Sequence, residues 1–330
     1  MKPNNRPTLF SAIKPSGNLH LGNYIGAISQ WLNLQQDYRC LFCVVDYHAI
    51  TVHQDPNVLR ESILNIARIY LAAGIDPKDS VIFQQSDIKE HTELGWLLNT
   101  ITKVSELEKM TQYKDKTKDQ GKEGPGAGLL NYPTLMAADI LLYNTEVVPV
   151  GEDQVQHIEL TRLLARRFNT VYGETFVVPK SLIKETGARI MSLIDPSKKM
   201  SKSGNQNGCI GLNEDPLSAH KKIKRAITDS ESRVIYNPQM KPAISNLLAI
   251  YSALSKKNIK ELEALYENKS YGEFKEDLAN LTADFLQNLQ TRMSTYSDDD
   301  IKDILKAGAK KVLPLAEETM VKVKQAMGLN

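Results

Sequence analysis

The sequence predicts an α/β protein with a doubly wound parallel sheet in its first 210 residues and a helical C-terminal domain over 211–330. Three observations predict it. Short, nearly continuous apolar runs recur through the first half, as expected of strands buried on both faces. Each is followed by a segment with helical spacing, so the order is strand, turn, helix. After Gly211 the strand signals fade and only helical patterns remain.

In chain order, residues 8–13 form a short strand, and a Pro-Ser-Gly turn leads to a helix over 22–36. Residues 41–45 are an apolar strand ending at Asp46. Residues 59–73 place Ile63, Ile66, Tyr70 and Leu71 on one helical face, with Gly74 as the C-cap. Further strands fall at 81–84, 146–150 and 189–194, and helices at 135–142 and 155–168. Residues 114–128, rich in Lys, Asp and Gly, read as an exposed, mobile loop. Five helices follow, over 219–226, 243–255, 259–267, 271–296 and 298–327, the last a candidate to pack back on the first domain.

Composition limits the function classes. Hydrophobic residues make up 42% and charged residues 24% of the 330, an ordinary globular balance, and the formal net charge is only +2. A polycation that coats nucleic acid is excluded, so any RNA contact comes from local basic patches such as Lys221, Lys222, Lys224 and Arg225. Residues 1–7 lack an apolar leader and no run is long enough to span a membrane, so a cytoplasmic location is expected. Of three cysteines, Cys40 and Cys43 have C-x-x-C spacing but lie in a buried-strand pattern. Positions three apart on a strand face opposite sides, which predicts core thiols, not a redox or metal pair. No resident metal site is expected.

Two loops carry the chemistry. Pro15-Ser-Gly-Asn-Leu-His-Leu-Gly-Asn23 follows the first strand and opens a helix. Ligands bind at the carboxyl ends of strands in such sheets, and a helix N-terminus offers unpaired N–H groups to an anion. Gly17 and Gly22 allow close approach, and His20 and Asn23 add donors. Farther on, Lys199-Met-Ser-Lys-Ser203 places two lysines three apart with serines beside them, suited to the phosphates of a nucleotide. Together they predict an enzyme that uses ATP to activate a carboxylic acid.

The two motifs resemble the HIGH and KMSKS signatures of class I aminoacyl-tRNA synthetases. The second matches letter for letter, and the first ends in Asn23 instead of a second His. Val45-Asp-Tyr-His-Ala-Ile-Thr51, Tyr132-Pro-Thr-Leu-Met-Ala-Ala-Asp-Ile-Leu-Leu142 and Val148-Pro-Val-Gly-Glu-Asp-Gln154 through Arg162 narrow the resemblance to the tryptophanyl-tRNA synthetase family. It runs from about Leu9 to Leu329.

The resemblance implies a Rossmann-like catalytic domain and a C-terminal region that reads the tRNA anticodon. It implies activation of L-tryptophan by ATP and transfer to tRNA(Trp), in a homodimer that binds neither DNA nor membrane. Asp139 would accept the indole N–H, with Phe10, Met136, Val148 and Val150 as walls. Met136 and Asp139 share one face of a helical turn. Tyr132 and Gln154 would bind the amino group, and His48 would lie beside the amino acid and the ribose. Lys14, Pro15, Ser16, His20, Gly22 and Asn23 would form the fixed cradle for ATP. Lys199, Met200, Ser201, Lys202 and Ser203 would form the moving part, with Lys116 joining the lysines. Gly151, Glu152 and Asp153 would contact adenosine, with Ile190 near the adenine. Lys14 replaces a common glutamine. Mg²⁺ would arrive on the phosphates. The other histidines, His53, His91, His157 and His220, receive no role. Two alternatives stand beside this one: a tyrosyl-tRNA synthetase, which shares the architecture, and a non-catalytic synthetase-like RNA-binding protein. A small nucleotidyltransferase would account for the first loop but not for the helical half.

Overall fold

The structure, a computed structural model, describes residues 6–17, 19–117, 125–183, 189–201 and 205–329. Five strands, β1 (Thr8–Ile13), β2 (Arg39–Val44), β3 (Val81–Gln84), β4 (Val147–Pro149) and β5 (Lys180–Leu182), form one sheet in the order β3-β2-β1-β4-β5. Every pairing is parallel. Parallel neighbours require crossovers, and helices supply them on both faces.

The two-residue period of the strands sorts their side chains into two cores. Leu9, Cys40, Phe42, Val44 and Ile82 enter one, where they meet Trp31, Tyr70 and the helical C-terminal half through Leu247, Phe274 and Leu278. Phe10, Leu41, Cys43, Phe83 and Val148 enter the other. The C-x-x-C pair is thereby split, one thiol to each core, as the strand reading expects. Burial pushes the Cys40 thiol up to about 12, and burial together with Asp139, Asp46 and Asp87 holds Cys43 well above the ordinary thiol range. Neither is a reactive thiolate.

Helix α1 covers 21–34, with a π-helical turn at Tyr24–Ile28 between Leu21–Asn23 and Ser29–Leu34. A short helix α2 (Asp46–Ala49) follows β2. Helix α3 (Pro56–Ala73) begins under the Asp55 carboxylate, which accepts from the N–H groups of Asn57 and Val58, and stops at Gly74 with φ +113°. Helices α4 (Glu90–Ile101) and α5 (Val104–Glu108) were not expected from the sequence. The expected loop over 114–128 is corrected at both ends: α6 (Thr111–Thr117) runs into it and α7 (Ala127–Leu141) begins inside it, while 118–124 lie outside the described residues. A polar, lysine-rich run predicts exposure, and an exposed helix meets that condition as well as a loop does.

The expected strand over 189–194 is also corrected. Only an isolated bridge between Met191 and Lys199 forms there, and β5 is the fifth strand. The Asn246 side chain accepts from the Met191 N–H at 2.8 Å and donates to its carbonyl at 2.9 Å, taking the pairing groups a strand neighbour would need. Helix α8 (Val155–Tyr172) completes the α/β part, and α9 (Pro216–Arg225), α10 (Pro242–Ser255), α11 (Ile259–Leu265), α12 (Tyr271–Met293) and α13 (Asp298–Met327) follow. Ser270 and Ser297 cap the last two, each with an acid three residues on that reaches back.

Helix α13 returns to the sheet and lays Ala309, Val312, Ala316 and Met320 into the second core. Gly308 makes the approach possible: a Cβ there would stand 1.8 Å from the Ile82 carbonyl oxygen. Gly→Ala inside a helix ordinarily stabilises by about 1 kcal/mol. Gly308→Ala is expected to do the reverse, costing about 1–3 kcal/mol as backbone and helix move apart. The midpoint of denaturant unfolding, at unchanged slope, measures it.

Candidate active site

The carboxyl ends of β1, β2 and β4 open into a cavity of about 350 Å³. Phe10 comes from β1, Val148 from β4 and Val150 from just beyond it. Tyr132, Met136 and Asp139 project from α7 at spacings of four and three, so they share one face. His48 lies on the short helix after β2, and Gln154 leads into α8. All eight residues expected around the amino acid line this one cavity, with Lys14 and Gly151 at the same opening.

Asp139 is 1% exposed, yet it is ionised. Burial alone would raise its pKa. Electrostatic attraction to His48 and His91 and the hydrogen bonds they donate outweigh that and hold the carboxyl well below the usual carboxylate range. His48 Nε2 lies 2.7 Å from Oδ2, while His91 Nδ1 and Gln85 Nε2 each lie 2.7 Å from Oδ1. A carboxylate only accepts, so all three nitrogens donate. Behind them, the Tyr47 N–H donates to Gln85 Oε1 at 3.0 Å, and the Tyr143 hydroxyl sits 2.7 Å from His91 Nε2.

The segment carrying His48 is pinned by Asp46. Its carboxylate accepts from the backbone N–H groups of Tyr47 and Ser86 and from Gln84 Nε2 at 2.8–3.1 Å, tying it to the end of β3. The Tyr132 hydroxyl meets Gln112 Oε1 at 3.1 Å and His157 Nε2 at 2.8 Å, and burial pushes its pKa up to about 12. His91 and His157, given no role from sequence, therefore stand directly behind two residues that were. Gln85 and Tyr143 were missed outright. The available signal was a polar Gln-Gln pair closing an apolar strand, but nothing local says that residue 85 meets residue 139.

The two loops meet beside this cavity. The Leu21 N–H donates to Ile210 at 2.8 Å and the Leu212 N–H to Leu19 at 2.9 Å, fixing the first loop to the chain that follows the second. Asn23 Oδ1 accepts from the His20 N–H at 3.0 Å. Met200, the apolar interruption of the lysine loop, is buried with Leu19, Leu21 and Ile190, and its N–H donates to Ile190 at 2.9 Å. A Cβ on Gly22 would stand 3.6 Å from the Ile190 side chain, so the two expected ATP residues adjoin. Pro15 is buried and Ser16 and Ser201 are exposed. Burial raises the Asp153 pKa, but a hydrogen bond from Gln154 and the charges of Lys199 and Arg189 bring it below the ordinary value. Lys116 belongs to α6 and Glu152 to the turn before α8. Lys202 and Ser203 lie outside the described residues. Among the described residues no group of three or more acids, histidines or cysteines is placed to hold a metal ion, and no helix is long and apolar enough to cross a membrane.

A parallel sheet with a ligand cavity at its carboxyl edge, flanked by these two loops, is the layout of a nucleotide-using α/β enzyme. Residues 1–287 match the family model described as tRNA synthetases class I (W and Y), and the chain belongs to that family. It is 52% identical to the Tryptophan–tRNA ligase of Oceanobacillus iheyensis over 324 residues, 98% of each chain. It is 49% identical to that of Bacillus anthracis with the same coverage. Among solved structures, the tryptophanyl-tRNA synthetase of Mycoplasma pneumoniae superposes with a TM-score of 0.92 at 36% identity over 98% of both chains. That of Campylobacter jejuni, solved with ADP and tryptophan, gives 0.82 at 34% over 98% of this chain and all of that one. Within the family the chain stands with the bacterial tryptophanyl-tRNA synthetases.

The depressed pKa of Asp139 makes stability depend on pH. Its anion contributes fully above the unfolded carboxyl pKa of about 4, and the contribution fades as pH falls from there through the folded value. Asp139→Asn removes that contribution. Its stability, followed by urea unfolding across the acid range, is expected to be lower than wild type at neutral pH and to fall less steeply below about pH 4.

Proposed function

We propose that this chain performs the tryptophan–tRNA ligase reaction in the cavity beneath Phe10 and Val148, with Asp139 as the acceptor for the indole N–H. One observation carries this reading: a buried, ionised carboxylate faces an otherwise largely apolar cavity, and its protein donors leave it acceptor capacity. A wide apolar ring with one N–H fits that arrangement, and a ligand without the N–H leaves the acceptor unsatisfied.

Tryptophan's carboxylate attacks the α-phosphorus of ATP, the bond to the β-phosphate oxygen breaks, and tryptophanyl-adenylate and pyrophosphate result. The 2′-hydroxyl of the terminal tRNA ribose then attacks the mixed anhydride and AMP leaves. Neither step needs a protein nucleophile, so the protein orients the reactants and balances charge. Tyr132 and Gln154 hold the amino group. His20 and Asn23 face the triphosphate. With Asn23 Oδ1 committed to the His20 N–H, the amide NH₂ remains as the donor to phosphate. Lys199 and Lys202 draw off the developing pyrophosphate charge, joined by Lys116, and Lys14 contacts the α-phosphate side. Gly151, Glu152, Asp153 and Ile190 bound the adenosine. Mg²⁺ would enter on the phosphates and screen their charge.

Residues 1–210 act as the catalytic domain and 211–330 as the tRNA-reading region, within a cytoplasmic homodimer. Of the basic residues on α9, Lys222 pairs with Glu214 and Lys224 with Glu276, which leaves exposed Lys221 and Arg225 as candidates for phosphate contact.

ATP–pyrophosphate exchange is expected with tryptophan and not with tyrosine; exchange driven by tyrosine alone would overturn the assignment. Lys202→Ala is expected to slow single-turnover adenylate formation by roughly 100-fold or more while changing the tryptophan Kd by less than about threefold. An unchanged rate would remove Lys202 from the mechanism.

A further inference from the structure

Asp139 is the hub of a donor chain that runs away from the cavity. Each carboxylate oxygen offers about two lone-pair directions. On Oδ1 both are taken, by Gln85 and His91, whose side chains are completely buried. Oδ2 has a single protein donor, His48, which lines the cavity. The two Oδ1 donors are themselves locked from behind. The Tyr47 N–H can only donate, so it fixes Gln85 with Oε1 toward Tyr47 and Nε2 toward Asp139. His91 must carry its proton on Nδ1 to serve the carboxylate. In the neutral ring Nε2 is then an acceptor, and the Tyr143 hydroxyl supplies its proton.

We propose that His91, with Tyr143 behind it, is a specificity-determining positioning residue: by saturating Oδ1 from the core it turns Oδ2 alone toward the indole N–H. His91 touches no cavity surface and does not itself contact the ligand. Without it, Oδ1 keeps an open lone pair facing the core, and the carboxylate is free to rotate away from the geometry in which the amino acid's N–H completes the set. The inference rests on reading Asp139 as the indole acceptor.

The test compares ATP–pyrophosphate exchange by the full chain on L-tryptophan and on β-(3-benzothienyl)-L-alanine, in which sulfur replaces the N–H. Wild type is expected to favour tryptophan. His91→Phe is expected to raise KM for tryptophan roughly 10- to 100-fold, with kcat within about threefold, while KM for the thienyl analogue moves far less. His91→Asn, whose amide nitrogen occupies nearly the place of Nδ1, is expected to recover most of the discrimination. Tyr143→Phe, which frees the tautomer of His91, is expected to fall between wild type and His91→Phe, and carries the test if His91→Phe does not fold. Equal rises in KM for both substrates, or undiminished discrimination in His91→Phe and Tyr143→Phe, would overturn the role of His91 and leave the Asp139 reading standing. A wild-type enzyme that fails to discriminate would overturn the Asp139 reading and this inference with it.

Discussion

A charge buried in a protein interior is costly unless donors surround it, and the ionised carboxylate of Asp139 imposes that condition on much of this molecule. Three nitrogens meet it at 2.7 Å, from three separate stretches of chain. His48 must therefore stand at the end of β2, Gln85 at the end of β3 and His91 at the start of α4, each held by its own partners. Asp46, Tyr47 and Tyr143 supply those partners. The carboxyl edge of the sheet is thus organised around one acceptor. Replacing the group by an apolar one would relieve the cost of burial but would leave buried donors orphaned.

The sheet makes that concentration possible. Its strands are parallel and in register, so their carboxyl ends lie along one edge and their loops converge there. The split of side chains between two cores leaves Phe10 and Val148 on the cavity side, while Leu9 and Phe42 join the core shared with the helical half. The same helical half reaches back to hold the second loop: Asn246 takes up the backbone of Met191, and Met200 is buried beside Ile190. One apolar residue among polar ones, Met200, thereby anchors the start of the lysine-rich segment.

Much of this was legible. The strands over 8–13 and 81–84 and the helix 298–327 follow from apolar spacing and end signals alone, because burial on both faces and capping are local in sequence. The eight cavity residues were named from motif resemblance, and they do converge on one cavity. Less legible were the elements whose pattern has two physical solutions. Thr111–Thr117 satisfies exposure as a helix, and 189–194 is apolar without being paired, because a side chain stands in for the neighbouring strand.

By itself, the sequence determined the α/β order and the opposite facing of Cys40 and Cys43, since each depends on residue type at short spacing, while the resemblance of its motifs brought Asp139 forward as a candidate acceptor. Tertiary structure alone decided what stands behind that acceptor. His91 and Asp139 are 48 residues apart and Gln85 and Asp139 are 54 apart, and neither pair leaves a periodic trace. A hydrogen-bonded partner is chosen by where two elements happen to pack, and only the assembled sheet brings those ends together.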